Sequence, residues 1–459
     1  MKYDAIIIGS GQGGTPLAVA LADKGWNVAM IEKKYLGGTC INTGCTPTKT
    51  MVQRAQVAYY ARHAIRWGVH TDNVAVDLPA IVEQKDKVVL RFRGGREKQF
   101  GERPNLRWYH DSASFTAPHQ LNVGGESLES EKIFIDTGGR ALIPPVPGLD
   151  SAGYLTNENI MDLTTVPEHL IIMGAGYIGL EFAQMFCRFG SRVTVIQSAG
   201  QIVPREDPEV AAELQKCLQA EEIQFFLATE VTRAGRKGSS IELWLAGTGA
   251  PEKISGSHLL VATGRRPNTD SLGLDKAGIA HDERGFVRVN GKLETNVPGV
   301  WALGDVKGGP AFTHISYNDY QIIWANLIEE KNVSIDHRIV PYCLFTDPQL
   351  GSAGLTEKEA RAKGHKLKIG SVPMSRVSRA IERDETAGLM KLIVDATNDR
   401  ILGATILSGD GGETVQVLYT LMLANLPYTL LKGATGAIYI HPTWAEGLFF
   451  LINAVQPVT

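Results

Sequence analysis

The distribution of apolar and polar positions along the chain follows one pattern that occurs twice. Ala5–Glu32 reads AIIIGSGQGGTPLAVALADKGWNVAMIE, and Leu170–Gln197 reads LIIMGAGYIGLEFAQMFCRFGSRVTVIQ. Each opens on an apolar run of strand length and passes through G-x-G-x-x-G. Each then continues as an amphipathic helix and closes on a second apolar run. Each copy is followed later by an apolar run ending in Thr-Gly, IFIDTGG at Ile133–Gly139 and LLVATGRRPN at Leu259–Asn268. Two α/β units of the Rossmann type are predicted. Between residues 270 and 335 the doubly wound pattern stops; GFVRV (Gly285–Val289) reads as a strand and Asn296–Val306 as a glycine-rich stretch. From His337 the runs YCLFTD, MKLIVDA and ILGATIL, with a helix from Gly412, predict a separate α+β domain.

In G-x-G-x-x-G a strand must turn sharply into a helix while a pyrophosphate approaches the backbone at the positive end of the helix dipole. Gly9 and Gly174 are expected to make the turn, Gly11 and Gly176 to admit the phosphate, and Gly14 and Gly179 to let helix and strand pack closely. Two matches in strand–turn–helix context predict two bound dinucleotides. The second strand of such a unit normally ends in an acidic residue that accepts from the adenosine ribose. Glu32 takes that place in the first copy. In the second it is Gln197, followed by Ser198, with Arg205 the first arginine after it. The second site is therefore more permissive toward a 2′-phosphate, although Gln197 can also bind the ribose hydroxyls much as glutamate would.

Length and charge narrow the class. At 459 residues the chain exceeds a single core of ~150 residues and predicts several domains. With 46 Lys and Arg against 49 Asp and Glu, a formal net charge of −3, it lacks the electrostatic footprint of a nucleic-acid binder. No apolar run reaches the ~18 residues of a membrane span, and the run Leu421–Leu431 is interrupted by Asn425 and Pro427. An untargeted, cytoplasmic protein with neither nucleic-acid nor membrane partners is expected. Five cysteines do not make a disulfide scaffold. Cys187, Cys217 and Cys343 stand alone in apolar surroundings and read as small buried hydrophobes.

Cys40 and Cys45, in GGTCINTGCTPTKT (Gly37–Thr50), stand together. Their spacing is wrong for the usual zinc pairs. On an ideal helix it separates the side chains by about 140°, so the sulfurs meet only if Gly44 distorts the first turn. A redox-active pair at a helix start, where the dipole lowers a thiol pKa, is the stronger reading.

These residues resemble the flavoprotein pyridine nucleotide-disulfide oxidoreductases, the family of dihydrolipoamide dehydrogenase, glutathione reductase and mercuric reductase; the likeness runs from Tyr3 to the last helix. It implies FAD in the first unit, NAD(P)H in the second and a homodimer built through the C-terminal domain. The chain then divides into residues 1–150 (FAD domain, first part), 151–269 (NAD(P) domain), 270–336 (FAD domain, second part) and 337–459 (interface domain). The resemblance makes Cys45 the thiol beside the flavin and Cys40 the interchange thiol that meets substrate. Lys49 resembles the lysine near flavin N5, Glu181 its ion-pair partner, and Tyr177 the aromatic gate over the nicotinamide pocket. Asp305 matches the aspartate that binds the ribityl chain. Gly38, Thr39, Thr137 and Gly138 match positions around the flavin, and Gly264 lies in the matching Thr-Gly of the second unit.

In IHPTWAEG, His441 and Glu446 resemble the family's dyad, in which histidine takes a proton from the partner subunit's interchange thiol. Tyr439 replaces the first histidine of the His-x-His-Pro found in dihydrolipoamide dehydrogenases. The paired C-terminal cysteines of mercuric reductases are missing, yet FRGGREKQ, REDPEV and FTHISYNDYQI are similar to a mercuric-reductase-like branch that includes a reactive-chlorine-resistance flavoprotein. The expected function is electron transfer from NAD(P)H through FAD and the Cys40–Cys45 disulfide to a disulfide, soft metal ion or other electrophile. Dihydrolipoamide dehydrogenase is the alternative. No resident metal is expected.

Overall fold

The computed structural model describes residues 1–458; Thr459, the last residue of the expected interface domain, lies outside them. Ala5–Ile8 and Val28–Ile31 are buried at every position, as strands covered on both faces must be. They form a parallel five-stranded sheet in the order Val300–Ala302, Ile133–Ile135, Ala5–Ile8, Val28–Ile31, Leu106–Tyr109. Helix Gly14–Asp23 packs on one face through Leu17, Ala18 and Leu21. Three short antiparallel strands, Ala113–Ala117, Gln120–Val123 and Glu126–Glu129, contribute Phe115, Leu121 and Leu128 to the other.

The second copy repeats this plan. A parallel sheet in the order Gln224–Phe226, Arg192–Ile196, His169–Met173, His258–Val261 carries helix Tyr177–Phe189 on one face. The antiparallel strands Thr229–Lys237, Ser240–Gly247 and Lys253–Gly256 pack on the other through Leu243 and Leu245. Neither antiparallel leaf was expected from the apolar pattern. Their strands are half exposed, and their alternation is too short to stand out.

The predicted strand GFVRV does not form a ladder. Only Val287 makes a bridge, to His281. Gly285, at φ +88°, turns the chain there, and the Asp282 carboxylate accepts from the amides of Arg284 and Phe286. The segment's hydrogen bonds are therefore spent in a turn.

The C-terminal domain is a six-stranded antiparallel sheet in the order Pro341–Leu344, Gln349–Gly354, Ile401–Ser408, Leu389–Asp395, Leu367–Pro373, Gln456–Pro457. Helices Gly411–Leu423 and Gly447–Asn453 cover it. One apolar core spans all three parts, with Met51 and Ala55 of helix Cys45–His63, Phe182 and Phe186 of the second unit, and Leu344, Leu350 and Leu407 of this sheet. Buried ion pairs cross the same boundaries. Arg188 binds Glu221 at 2.6 Å and Asp347 at 2.8 Å. Lys391, fully buried, binds Asp207 and Glu357 at 2.8 Å each and also Glu209. Among the described residues no helix is long and apolar enough to cross a membrane.

Candidate active site

Both glycine loops show the turn that the spacing requires. Gly9 and Gly174 lie at φ +102° and +105°, a region closed to most side chains. A Cβ on Gly14 or Gly179 would overlap the carbonyl oxygen of Gly9 or Gly174, so helix and strand pack there without room for a methyl group. The middle glycines differ. Gly176 faces open space, whereas a Cβ on Gly11 would stand 2.5 Å from Asp136 Oδ2. Gly11 thus admits a buried carboxylate of its own chain, a reason the motif does not contain. Asp136 accepts from the Gly14 amide at 2.7 Å, and burial raises its pKa well above the usual carboxylate range.

The strand-end residues reach back to these loops in the same way. Glu32 Oε2 accepts from the Ser10 amide at 3.1 Å, and Gln197 Oε1 accepts from the Ala175 amide at 3.1 Å. No acidic group ends the second strand, and Arg205 is exposed along the same cleft.

Cys40 and Cys45 belong to different helices. Gly38–Asn42 forms a short turn; the chain breaks at Thr43 and Gly44, and Cys45 opens helix Cys45–His63. The break makes the two sulfurs hydrogen-bond neighbours. The bond from Cys40 chiefly lowers the Cys45 pKa, to about 6; burial opposes this, while the Thr313 hydroxyl and the Lys49 charge add to it. Cys40, which donates that bond and is half-buried, is held as the neutral thiol. Thr313 Oγ1, 3.1 Å from Cys45 Sγ, was not singled out in the sequence; it opens helix Thr313–Leu327, far along the chain.

One turn into the same helix, Lys49 Nζ meets Glu181 at 2.9 and 2.7 Å. Burial works against the ammonium, but the Glu181 carboxylate outweighs it and the Lys49 pKa rises. Glu181 also accepts from the Phe345 amide at 3.0 Å, and the Lys49 ammonium lies 4.8 Å from the Phe345 ring centroid. Tyr177 precedes Glu181 by one helical turn and lines the same cleft. Cys343 lines it as well, so it is not the enclosed core residue expected, although burial lifts its pKa to about 12. Cys187 and Cys217 are half-buried, with pKa values raised by burial to about 11 and about 12.

The cleft joining both loops, both cysteines and Lys49 has a volume of about 2680 Å³, against the ~300–1,000 Å³ of an ordinary small-molecule pocket. Gly38, Thr39, Gly138, Gly264 and Asp305 line it, and Asp305 is held by Arg265 at 3.2 Å. The buried hydroxyl of Thr137, beside Gly9, has no partner within the protein. An orphaned hydroxyl beside a glycine loop fits a dinucleotide lying along it.

His441 and Glu446 do not line this cleft within one chain. They sit on the interface domain, where His441 Nδ1 lies 2.8 and 3.0 Å from the Glu446 oxygens and the His441 side chain is 65% exposed.

Two nucleotide-binding units that share one cleft with a dithiol define an oxidoreductase of the dinucleotide–dithiol class. The chain belongs to the pyridine nucleotide-disulphide oxidoreductases, whose family profile matches residues 3–319, with the family's dimerisation domain at residues 340–449. Membership brings FAD and a pyridine nucleotide, acting with a redox-active dithiol. The chain is 37% identical to the probable pyridine nucleotide-disulfide oxidoreductase RclA of Escherichia coli K12, over 99% of this chain and 100% of that one. The solved Cu(II) complex of that HOCl-induced flavoprotein disulfide reductase superposes with a TM-score of 0.90 at 36% identity, covering 99% and 100% of the two chains. A mercuric reductase of Lysinibacillus sphaericus is 33% identical over 97% of this chain and 81% of its own. A dihydrolipoyl dehydrogenase of Thermus scotoductus is 34% identical over 99% and 97%.

Proposed function

We propose that the chain is an NAD(P)H-dependent flavoprotein reductase that delivers electron pairs from the Cys40–Cys45 dithiol to a disulfide, a soft metal ion such as Cu(II) or Hg(II), or another electrophile. The observation that carries this reading is the placement of the two sulfurs as hydrogen-bond neighbours, with the Thr313 hydroxyl 3.1 Å from Cys45 and the Glu181-bound Lys49 one turn further on, an arrangement that favours a thiolate at Cys45 and a neutral, donating Cys40. When bound, the nicotinamide and FAD supply the electron pair that reduces the disulfide. Lys49, fixed by Glu181, keeps a positive charge beside Cys45 and favours its thiolate. Cys40, once deprotonated, attacks an acceptor disulfide and releases one thiol. Cys45 then attacks the mixed disulfide, re-forming Cys40–Cys45 and releasing the second thiol. His441 of the partner subunit takes the Cys40 proton and returns it to the leaving thiolate.

The homodimer in this reading is supported by the apolar face around His441, where Ile438 is 97% and Ile440 77% exposed. The four-part domain division is supported by the pairing of Val300–Ala302 into the first sheet. Acceptance of NADPH as well as NADH follows from an uncharged Gln197 with Arg205 free in the cleft. A cytoplasmic setting agrees with a dithiol that works reduced. The dihydrolipoamide alternative is less favoured, because Tyr439 stands in place of the first histidine of His-x-His-Pro and the likeness to RclA, at 37% identity, exceeds that to the dihydrolipoyl dehydrogenase, at 34%.

Anaerobic titration with NADH and with NADPH, followed by reoxidation with disulfides, Hg(II), Cu(II) and quinones, tests the reading. It requires uptake of a second electron pair by the dithiol, and Cys40→Ser must abolish turnover. Uptake of one pair only, or full activity without Cys40, would overturn it.

A further inference from the structure

Behind the wall of the cleft that Tyr177, Phe312 and Tyr342 form, one buried carboxylate takes two phenols on a single oxygen. Glu206, 5% exposed, accepts from Tyr177 at 2.6 Å and from Tyr342 at 2.8 Å, both at Oε1. Burial and the neighbouring Glu206 carboxylate raise both phenol pKa values, so each hydroxyl keeps its proton and donates. The rings sit together as well: Tyr177 and Tyr342 are stacked at 5.6 Å and 24°, Tyr342 and Phe312 at 5.5 Å and 2°, and Tyr177 and Phe312 at 6.2 Å and 23°. Three parts of the chain meet here. Tyr177 and Glu206 come from the second nucleotide unit, Phe312 from the approach to helix Thr313–Leu327, and Tyr342 from the interface sheet.

The loop bearing Glu206 is held on both sides. Asp207, the next residue, binds buried Lys391 and accepts from the Glu357 amide. Val203, at φ +36°, is a β-branched residue in the left-handed region, a conformation that persists only where the surroundings impose it. Glu206 is thus a fixed post, and Tyr177 is the element of the group that sits on a helix start facing the cleft.

We propose that Glu206 and Tyr342 are positioning residues for the Tyr177 gate: Glu206 latches the ring closed, and Tyr342 keeps Glu206 hydrogen-bonded whenever Tyr177 swings away to admit the nicotinamide. This rests on the reading of Tyr177 as the gate of the second nucleotide site. The two residues have opposite effects on opening. Glu206 opposes it through a charge-assisted bond to Tyr177. Tyr342 eases it, because without Tyr342 an open gate leaves a buried carboxylate with no donor.

The test uses the FAD-loaded protein, with binding of NAD⁺ and NADP⁺ followed through the flavin spectrum alongside KM and kcat for the reduced nucleotides. Glu206→Gln keeps an acceptor but removes the charge, and is expected to tighten apparent affinity about three- to tenfold as the open fraction rises. Tyr342→Phe keeps the stacked ring and the net charge, and is expected to weaken it by about the same factor. A structural role alone would move both variants the same way. Shifts of one sign in both, or affinities within about twofold of the unsubstituted protein in both, overturn the latch. Should Tyr342→Phe lose its flavin, Glu206→Gln decides alone: tighter binding supports the latch, and unchanged or weaker binding overturns it. Failure of the underlying gate reading shows instead in Tyr177→Ala, whose nucleotide affinity and rate of flavin reduction then match those of the unsubstituted protein.

Discussion

His441 donates from Nδ1 into the Glu446 carboxylate at 2.8 Å, which fixes the tautomer and leaves Nε2 as the free acceptor. That hydrogen bond, with the charge behind it, raises the His441 pKa. Histidine takes a proton from a thiol only when neutral, so activity falls as pH drops through this raised pKa. Glu446→Gln returns the pKa toward the ordinary value. The acidic limb of the kcat profile then moves to lower pH, and kcat falls by about tenfold or more as the ring loses its orientation. A pH profile of acceptor reduction measures both.

The Cys45 thiol, lowered to about 6 chiefly by the Cys40 hydrogen bond, is a thiolate above that pH and a thiol below it. In the reduced protein the thiolate ultraviolet absorbance is expected to fall with a midpoint near this value on acidification. Cys40→Ala removes the donor and moves the midpoint upward, while Cys45→Ser removes the transition.

Two glycines of the second loop separate folding from binding. Gly176 faces open space, so Gly176→Ala folds with an unchanged melting temperature and loses pyridine-nucleotide affinity, because the methyl group stands where a phosphate must approach. Gly179→Ala drives a methyl group into the Gly174 carbonyl and lowers the melting temperature itself. Thermal melts paired with nucleotide titrations distinguish the two.

Lys391 is the cation shared by Asp207, Glu209 and Glu357. Lys391→Met leaves buried Asp207 without a cation beside Glu209 and Glu357, of which Glu357 keeps Arg361, at a cost of about 3–5 kcal/mol. Denaturant unfolding is expected to show that loss. Adding Asp207→Asn to Lys391→Met restores part of it by removing one of the stranded charges.

The nucleotide units were legible because their apolar runs and glycine spacing are local. Gly9, Gly14, Gly174 and Gly179 stand where backbone sterics demand, and six residues of sequence suffice to show it. The antiparallel leaves were not legible, since their strands carry only one to three buried residues each, never two in succession. At the site, Lys49 and Glu181 were named through family likeness alone, as nothing local pairs residues so far apart in sequence. Thr313, Asp136, Glu206 and Tyr342 were missed for the same reason. Each acquires its role from a partner on another element, and an isolated threonine, aspartate or tyrosine carries no signal of that partner. The second reason for glycine at position 11, the Asp136 carboxylate that would meet a Cβ there, was not legible either, because Asp136 lies on a different strand.

The pairing of Ile133 with Val300 across the whole second unit sets an order of assembly. During synthesis the inner sheet has all its strands once Val261 has emerged, while the outer one waits for Ala302. The later unit in the sequence can therefore close first, and the earlier one keeps an open edge beside Ile133–Ile135 until then, exposed to mispairing. Chains arrested between these two points are the ones in which aggregation is expected to begin.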